Sequence, residues 1–373
     1  MALQMAAVDP RDAIFDDIST PALVVSVYAL DRNIRAMAKS SAAAGMALRP
    51  HAKTHKCIEI ARRQIAAGAA GIACATVSEA EHLAANGLNN LLVTAPIASP
   101  DKAQRLARLS SDCRLTAVVD HPDQVALLGA AMASIDASLA LLVDIDVGQC
   151  RTGVTEIPIG VELARRIAST PKLVFSGIQG FAGQAQHIIR EVERSSCAST
   201  VADRLTAFST ALAAIGLAPS IVSGSGTGTS RYDLAGPYTE LQVGSYVFMD
   251  ADYGRLEDKS MGRLCYENSL FILATVVSVN RPDQVTVDAG TKALAFNGPT
   301  PRIILGAPTG TKYRFAGDEH GVLELPGPGA PPAHGSRVLI EASHCDPTIN
   351  LYSRYHAVEA AKITHWEIGA RYV

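Results

Sequence analysis

Two lysines and two histidines crowd the stretch Leu48-Arg49-Pro50-His51-Ala52-Lys53-Thr54-His55-Lys56, directly after an apolar run. An ammonium ion at the end of a buried strand is costly unless something uses it. One use is covalent: a partly dehydrated lysine loses its proton more readily and can form a Schiff base with a carbonyl compound. That is the expectation for Lys53; a basic, solvated strand end is the plain alternative. A second group is Ser223-Gly224-Ser225-Gly226-Thr227-Gly228-Thr229. Glycines let backbone N–H groups approach an anion, and hydroxyls add donors. Ser225, Gly226, Thr227 and Gly228 are therefore a candidate phosphate cradle, with a flexible surface loop as the alternative. A cradle and a Schiff-base lysine together point to pyridoxal 5′-phosphate (PLP), which neither indicates alone. The third group is Glu341-Ala342-Ser343-His344-Cys345-Asp346-Pro347-Thr348. In a strand, His344 and Asp346 share one face and Cys345 takes the other. An imidazole and a carboxylate on one face offer two ligands to a divalent ion. That N/O set suits Mn²⁺ or Mg²⁺ better than a thiolate-type zinc site. A surface histidine near a turn is the alternative.

These groups need elements to hold them. Thr20-Pro21 leads into a strand at Ala22–Val27, rich in β-branched residues, and Leu30–Gly45 has helical spacing with a glycine stop. A rhythm then starts. Apolar runs at Met46–Pro50, Gly71–Thr76, Leu91–Ala95, Leu115–Val119, Leu139–Val147, Leu173–Gln179, Ser220–Ser223 and Leu241–Phe248 alternate with helical segments, among them Ile58–Ala67, Val77–Ala85, Asp101–Leu109, Pro122–Ala131 and Ile157–Ser169. Continuously apolar strands between helices imply a parallel sheet buried on both faces. Eight such runs match an α/β (β/α)₈ TIM-type barrel; a doubly wound open sheet is the alternative, weakened by the lack of a GxGxxG turn. Barrel active sites lie at the C-terminal strand ends. Lys53 follows the first run, Arg151 the fifth, Gln179 and His187 the sixth, and the glycine loop the seventh.

Past Met249 the rhythm gives way to strand-like runs at 268–280, 285–289, 303–305, 321–325 and 337–342, divided by Pro/Gly turns such as the one over 326–332. The expectation is a barrel over 20–260 and a mainly β domain from 1–19 and 261–373, which the strand at 22–27 can join.

The chain has 373 residues, 48% of them hydrophobic, enough for a large core, and a formal net charge of −3, which disfavours a nucleic-acid face. Its seven cysteines are scattered with no CxxC pair, which fits a reducing cytoplasm. No apolar run is long enough to span a membrane, and the N-terminus does not read as a signal peptide.

Several motifs recur together: Arg49-Pro50-His51-Ala52-Lys53-Thr54-His55-Lys56, Val77-Ser78-Glu79-Ala80-Glu81, Asp146-Val147-Gly148-Gln149, Gly226-Thr227-Gly228, the run from Tyr238 to Asp250, Asp318-Glu319-His320-Gly321 and Ser343-His344-Cys345-Asp346-Pro347-Thr348. From Thr20 onward this pattern resembles the D-threonine aldolase and 3-hydroxy-D-aspartate aldolase family, D-serine dehydratase-like PLP enzymes with an alanine-racemase-type barrel. The resemblance implies a homodimeric, cytoplasmic lyase that splits β-hydroxy-D-amino acids into glycine and an aldehyde. It implies that Lys53 carries PLP, that Arg151 lies beside the ring, that Gly226-Thr227-Gly228 takes the phosphate, and that His344 and Asp346 hold the metal. Gln179 and Ser225 join the expected cofactor set, and the expected base is His187 or a metal-bound water. His51 and His55 are read as orienting the loop, and Lys56 as a helix-start or surface residue. Phe181-Ala182 departs from the family's Tyr-His pair, removing polar groups beside the ring. A D-serine or 3-hydroxy-D-aspartate dehydratase is the alternative on the same scaffold. An amino-acid racemase and a non-catalytic PLP-binding protein are the others.

Overall fold

The computed structural model describes residues 8–259, 264–327, 330–360 and 362–371. The chain folds into two compact units. One takes the described residues within Met1–Ala36, Ser245–Arg255 and Ser260–Arg371; the other takes those within Met37–Gly244 and Leu256–Lys259. The N-terminal segment of the first unit thus runs to Ala36 and includes the strand at 22–27. The reason is β1 (Ala22–Ser26), which leads into α1 (Val27–Ala43) and pairs with strands near the C-terminus. The expected junction at 260–261 lies outside the described residues, as do 328–329 of the turn over 326–332.

The larger unit is the barrel. Its strands are β2 (Ala47–Leu48), β3 (Ile72–Cys74), β4 (Asn90–Val93), β5 (Arg114–Val119), β6 (Leu139–Asp144), β7 (Leu173–Gly180), β8 (Ile221–Gly224) and β9 (Glu240–Leu241), in the order β2-β9-β8-β7-β6-β5-β4-β3. Every neighbouring pair is parallel. Between β2 and β3 the seam is closed by a bridge from His51 to Ala73, with Ala73 N donating to Pro50 O at 2.9 Å. Small and branched side chains fill the interior: Ala73, Leu92, Val118 and Leu142, with Ile221 against them. Burial on both strand faces is what turned these segments into unbroken apolar runs.

Helices α2 (Ile58–Ala66), α3 (Val77–Ala85), α4 (Pro100–Leu109), α5 (Pro122–Met132), α6 (Ile157–Ser169), α7 (Glu191–Ala213) and the short α8 (Ser230–Asp233) lie between the strands in sequence. Their starts are chemically marked. Thr76 caps α3 by accepting from Glu79 N at 3.2 Å, and Pro100 and Pro122 occupy the first helical position, where a missing N–H costs nothing. The run Leu241–Phe248 is mostly not strand. Only Glu240–Leu241 is β, and Ser245–Val247 is a 3₁₀ turn grouped with the other unit.

The smaller unit is a nine-stranded sheet. Its later strands are β10 (Leu270–Ser278), β11 (Gln284–Val287), β12 (Arg302–Leu305), β13 (Lys312–Phe315), β14 (Gly321–Glu324), β15 (Arg337–Glu341), β16 (Arg354–Glu359) and β17 (Lys362–Glu367). The order is β11-β14-β13-β12-β15-β10-β1-β16-β17, and β10 also pairs with β11. Phe15, Ala22, Val24, Phe271, Leu273, Leu339 and Val358 form its core. Between β15 and β16 the chain makes α9 (Cys345–Ile349). Among the described residues no helix is long and apolar enough to cross a membrane.

Candidate active site and metal centre

Lys53 sits where barrel topology puts chemistry, in a 3₁₀ turn (Ala52–Thr54) just past the C-terminal end of β2. His51 starts that turn: its Nδ1 accepts from Lys53 N at 3.3 Å. An accepting Nδ1 places the ring proton on Nε2, which faces Thr94 Oγ1 at 3.0 Å. His55 is fully buried and its Nδ1 accepts from Cys57 N at 3.1 Å. Both histidines therefore hold the loop's shape. Gly244 is glycine for the same turn: a Cβ there would come within 2.4 Å of Thr54 Oγ1.

Lys56 is not a surface residue. Its side chain is 8% exposed and pairs with the equally buried Glu79, whose other oxygen accepts from Ala75 N at 2.6 Å. Removing one partner of such a pair costs roughly 3–5 kcal/mol, because the other is left as an uncompensated charge.

Lys53 opens on a cavity of about 300 Å³ that Arg151, Gln179, Phe181 and Gln242 also line. Its ammonium and the Arg151 guanidinium each lie near the Phe181 ring, at 5.7 and 5.8 Å from the centroid. Behind the cavity runs a buried polar chain. Arg49 pairs with Glu240 at 2.9 Å, and Ser223 Oγ donates to Glu240 at 2.6 Å. Gln242 Nε2 donates to Ser223 Oγ at 2.8 Å and to Gln179 Oε1 at 3.0 Å. Gln179 Nε2 donates to Asp144 Oδ1 at 2.9 Å, and Thr152 Oγ1 to Asp144 Oδ2 at 2.8 Å. Residues on or beside β2, β9, β8, β7 and β6 are thereby linked in turn, and both glutamine amides have a fixed orientation. Burial pushes the Asp144 carboxyl up to about 6, against the opposing effect of its hydrogen bonds from Gln179 and Thr152.

The glycine loop follows β8 at the same end of the strands. Ser225 and Thr227 are each 2% exposed, so the loop is packed and not a flexible surface turn. Gln186 explains two of the glycines. A Cβ on Gly226 would meet its Oε1 at 2.4 Å, and one on Gly228 its backbone O at 2.5 Å. Gly228 N donates to Gln186 Oε1 at 2.9 Å, so that N–H is already committed within the chain. His187, next in sequence, is exposed and is not among the residues that line the Lys53 cavity. Ala182 is buried and its carbonyl accepts from Gln186 Nε2 at 3.1 Å; it is the departure at Phe181 that faces the cavity. The lysine and the ring-side amides line this cavity and the glycine loop does not, though it follows a barrel strand at the same end; the residue types fit a phosphorylated aldehyde, and the volume is within the ordinary range for small-molecule sites, roughly 300–1,000 Å³.

The smaller unit holds the third group, with a change. His344 is not in a strand: it caps α9, and Cys345 and Asp346 are helical. The alternation that placed His344 and Asp346 on one face therefore does not apply. A residue the spacing did not suggest takes part: ligand atoms of Asp250, His344 and Cys345 lie within 4.8 Å of one another. Asp250 is fully buried, 3.0 Å from His344 Nδ1. Asp346 is adjacent, with Cys345 Sγ 3.4 Å from its Oδ1. Burial alone would lower the His344 pKa, but the bond to Asp250 and the charges of Asp346, Asp250 and Asp252 outweigh it and raise it. Burial holds the Cys345 thiol far above its usual range. An imidazole with carboxylates around it fits a hard or borderline divalent cation. Asp250 closes the Tyr238–Asp250 motif, the one signal in the sequence that marked it.

Comparison with known proteins gives two matching families: the alanine racemase N-terminal domain over residues 25–252, and a putative serine dehydratase domain over 269–358. The D-threonine aldolase of an Arthrobacter species is 39% identical over 95% of this chain and 93% of its own. The 3-hydroxy-D-aspartate aldolase of Paracoccus denitrificans (strain Pd 1222) is 39% identical over 95% and 92%. Among solved structures, the D-threonine aldolase of Filomicrobium marinum superposes with a TM-score of 0.92 at 36% identity, covering 95% of this chain and 96% of that one. The D-threo-3-hydroxyaspartate dehydratase of Delftia sp. HT23 gives 0.83 at 25% identity, over 96% and 99%.

Proposed function

Because the chain belongs to the alanine-racemase-type family that contains the D-threonine and 3-hydroxy-D-aspartate aldolases, we propose that it is a carbon–carbon lyase of β-hydroxy-D-amino acids, dependent on PLP and a divalent cation. The products are glycine and an aldehyde. The observation that carries this reading is Lys53, placed at a barrel strand end in a cavity whose polar walls are already oriented.

Lys53 carries the cofactor through Nζ, and Ser225, Gly226 and Thr227 take its phosphate. Gln179, Gln242 and Arg151 hold the ring's position against Phe181. His344 and Asp346 hold the cation, with Mn²⁺ favoured over Mg²⁺ because one ligand is an imidazole. Bound there, PLP supplies an electron sink for the bond broken at Cα and the cation a Lewis acid for the β-hydroxyl. Phe181 presents no hydroxyl to the ring, so selection there is by shape. The protein acts in the cytoplasm as a homodimer, as the scattered cysteines and the family resemblance suggest.

Dehydration is the second reading, favoured by the Delftia superposition and opposed by the carboxylate at Asp346. D-threonine, D-phenylserine and 3-hydroxy-D-aspartate, assayed with and without chelator, separate the two. Glycine with aldehyde, lost on chelation, is expected. Keto acid with ammonia selects the dehydratase, and full turnover without metal sinks both.

A further inference from the structure

Asp250 is among the three residues whose ligand atoms converge near α9, yet its surroundings assign it a different task. Its Oδ1 accepts from Asp252 N at 3.1 Å and Tyr253 N at 2.9 Å. Its Oδ2 accepts from Cys345 N at 2.8 Å and lies 3.0 Å from His344 Nδ1. A carboxylate offers about four lone-pair directions, and three backbone N–H groups and the His344 ring nitrogen face them. The group has no exposed surface, and both of its oxygens are engaged by backbone N–H groups. Oδ2 already serves as an acceptor for Cys345 N, so the His344 nitrogen facing it is the donor, which holds the ring as the Nδ1–H tautomer with its lone pair on Nε2. The same oxygen fixes the first helical N–H of α9, and with it the turn carrying Asp346.

We propose that Asp250 is a positioning residue for the metal centre and not a ligand: it sets the His344 tautomer, so that Nε2 meets the cation, and anchors the Cys345-Asp346 turn. Carboxylates that accept from the far nitrogen of a ligating histidine typically change metal affinity about 10–100-fold when removed. This rests on the reading of His344 and Asp346 as the cation's ligands.

The experiment measures the Mn²⁺ dissociation constant by electron paramagnetic resonance of the free ion, on the full chain. Wild type, Asp250→Asn, Cys345→Ser and His344→Ala are compared. Asp250→Asn is expected to bind about 10–100-fold more weakly, with Cys345→Ser unchanged and His344→Ala abolishing the site. An Asp250→Asn constant equal to wild type overturns the inference. Mn²⁺ binding that survives His344→Ala removes the ligand reading on which it rests. A second measurement needs no folded variant at Asp250. Nitrogen-15 spectra of histidine-labelled wild type at about pH 9, above the imidazole range, are expected to show His344 protonated at Nδ1. Protonation at Nε2 instead overturns the inference.

Discussion

At the scale of single residues, the site depends on side chains whose roles follow from partners and not from type. Of the histidines singled out near Lys53, His51 and His55 are spent on backbone N–H groups, and His187 stands outside the cavity. Asp144 makes a testable case. Its folded pKa of about 6 lies above the 3.8 of a free aspartate side chain, so between those values the folded chain holds a proton that the unfolded chain releases. Stability therefore falls as pH rises through that window, and the cost is complete above about pH 6, at most about 3 kcal/mol. Asp144→Asn removes the charge, and Thr152 can reverse its hydroxyl to accept from the new amide. Urea midpoints of the two proteins are expected to converge near pH 4 and to favour the variant at pH 7; parallel curves would refute the titration. The sequence made Lys53 legible, because a lysine ending an apolar strand is anomalous. It hid Asp250 and Gln186, since a buried positioning group is defined by contacts made elsewhere in the chain.

At the scale of elements, the barrel was readable and its last strand was not. Strands β3 to β8 are buried on both faces, which writes an apolar run into the sequence. Leu241–Phe248 is just as apolar, but Gly244 packs on the lysine turn and the chain turns away into a 3₁₀ segment. The polar strands β13, β16 and β17 carry weak signals for the opposite reason: much of each is exposed. The glycine loop gives this scale its prediction. Gly226→Ala collides with the end of the Gln186 side chain, whereas Gly228→Ala collides with Gln186 backbone. Each is expected to weaken PLP binding and to cost about 1–3 kcal/mol of stability as overpacking. Adding Gln186→Ala restores much of the loss in Gly226→Ala and little in Gly228→Ala. Equal rescue of both, in thermal melts and cofactor titrations, would mean that the loop's glycines serve something other than Gln186.

At the scale of the molecule, the first strand of the barrel pairs with the last: Ala47 lies beside Glu240 and Leu48 beside Leu241, and His51 closes the other side of the ring against Ala73. Contacts so far apart in sequence form late in folding, because a long loop must be closed before they repay it. The backbone from Leu48 to His51 is held from both sides of this seam, and the lysine turn follows directly. Lys53 is therefore seated only when the ring is complete, and a ligand that binds the completed ring shifts the equilibrium toward it. Capture of PLP during refolding is expected to follow the slowest folding phase, visible as its absorbance change after dilution from denaturant. Capture in the first compact phase would place the seam earlier. The proposed cofactor lysine would thus double as an inspector of its own assembly: a half-built barrel has nowhere to keep the cofactor, and occupancy would count finished molecules.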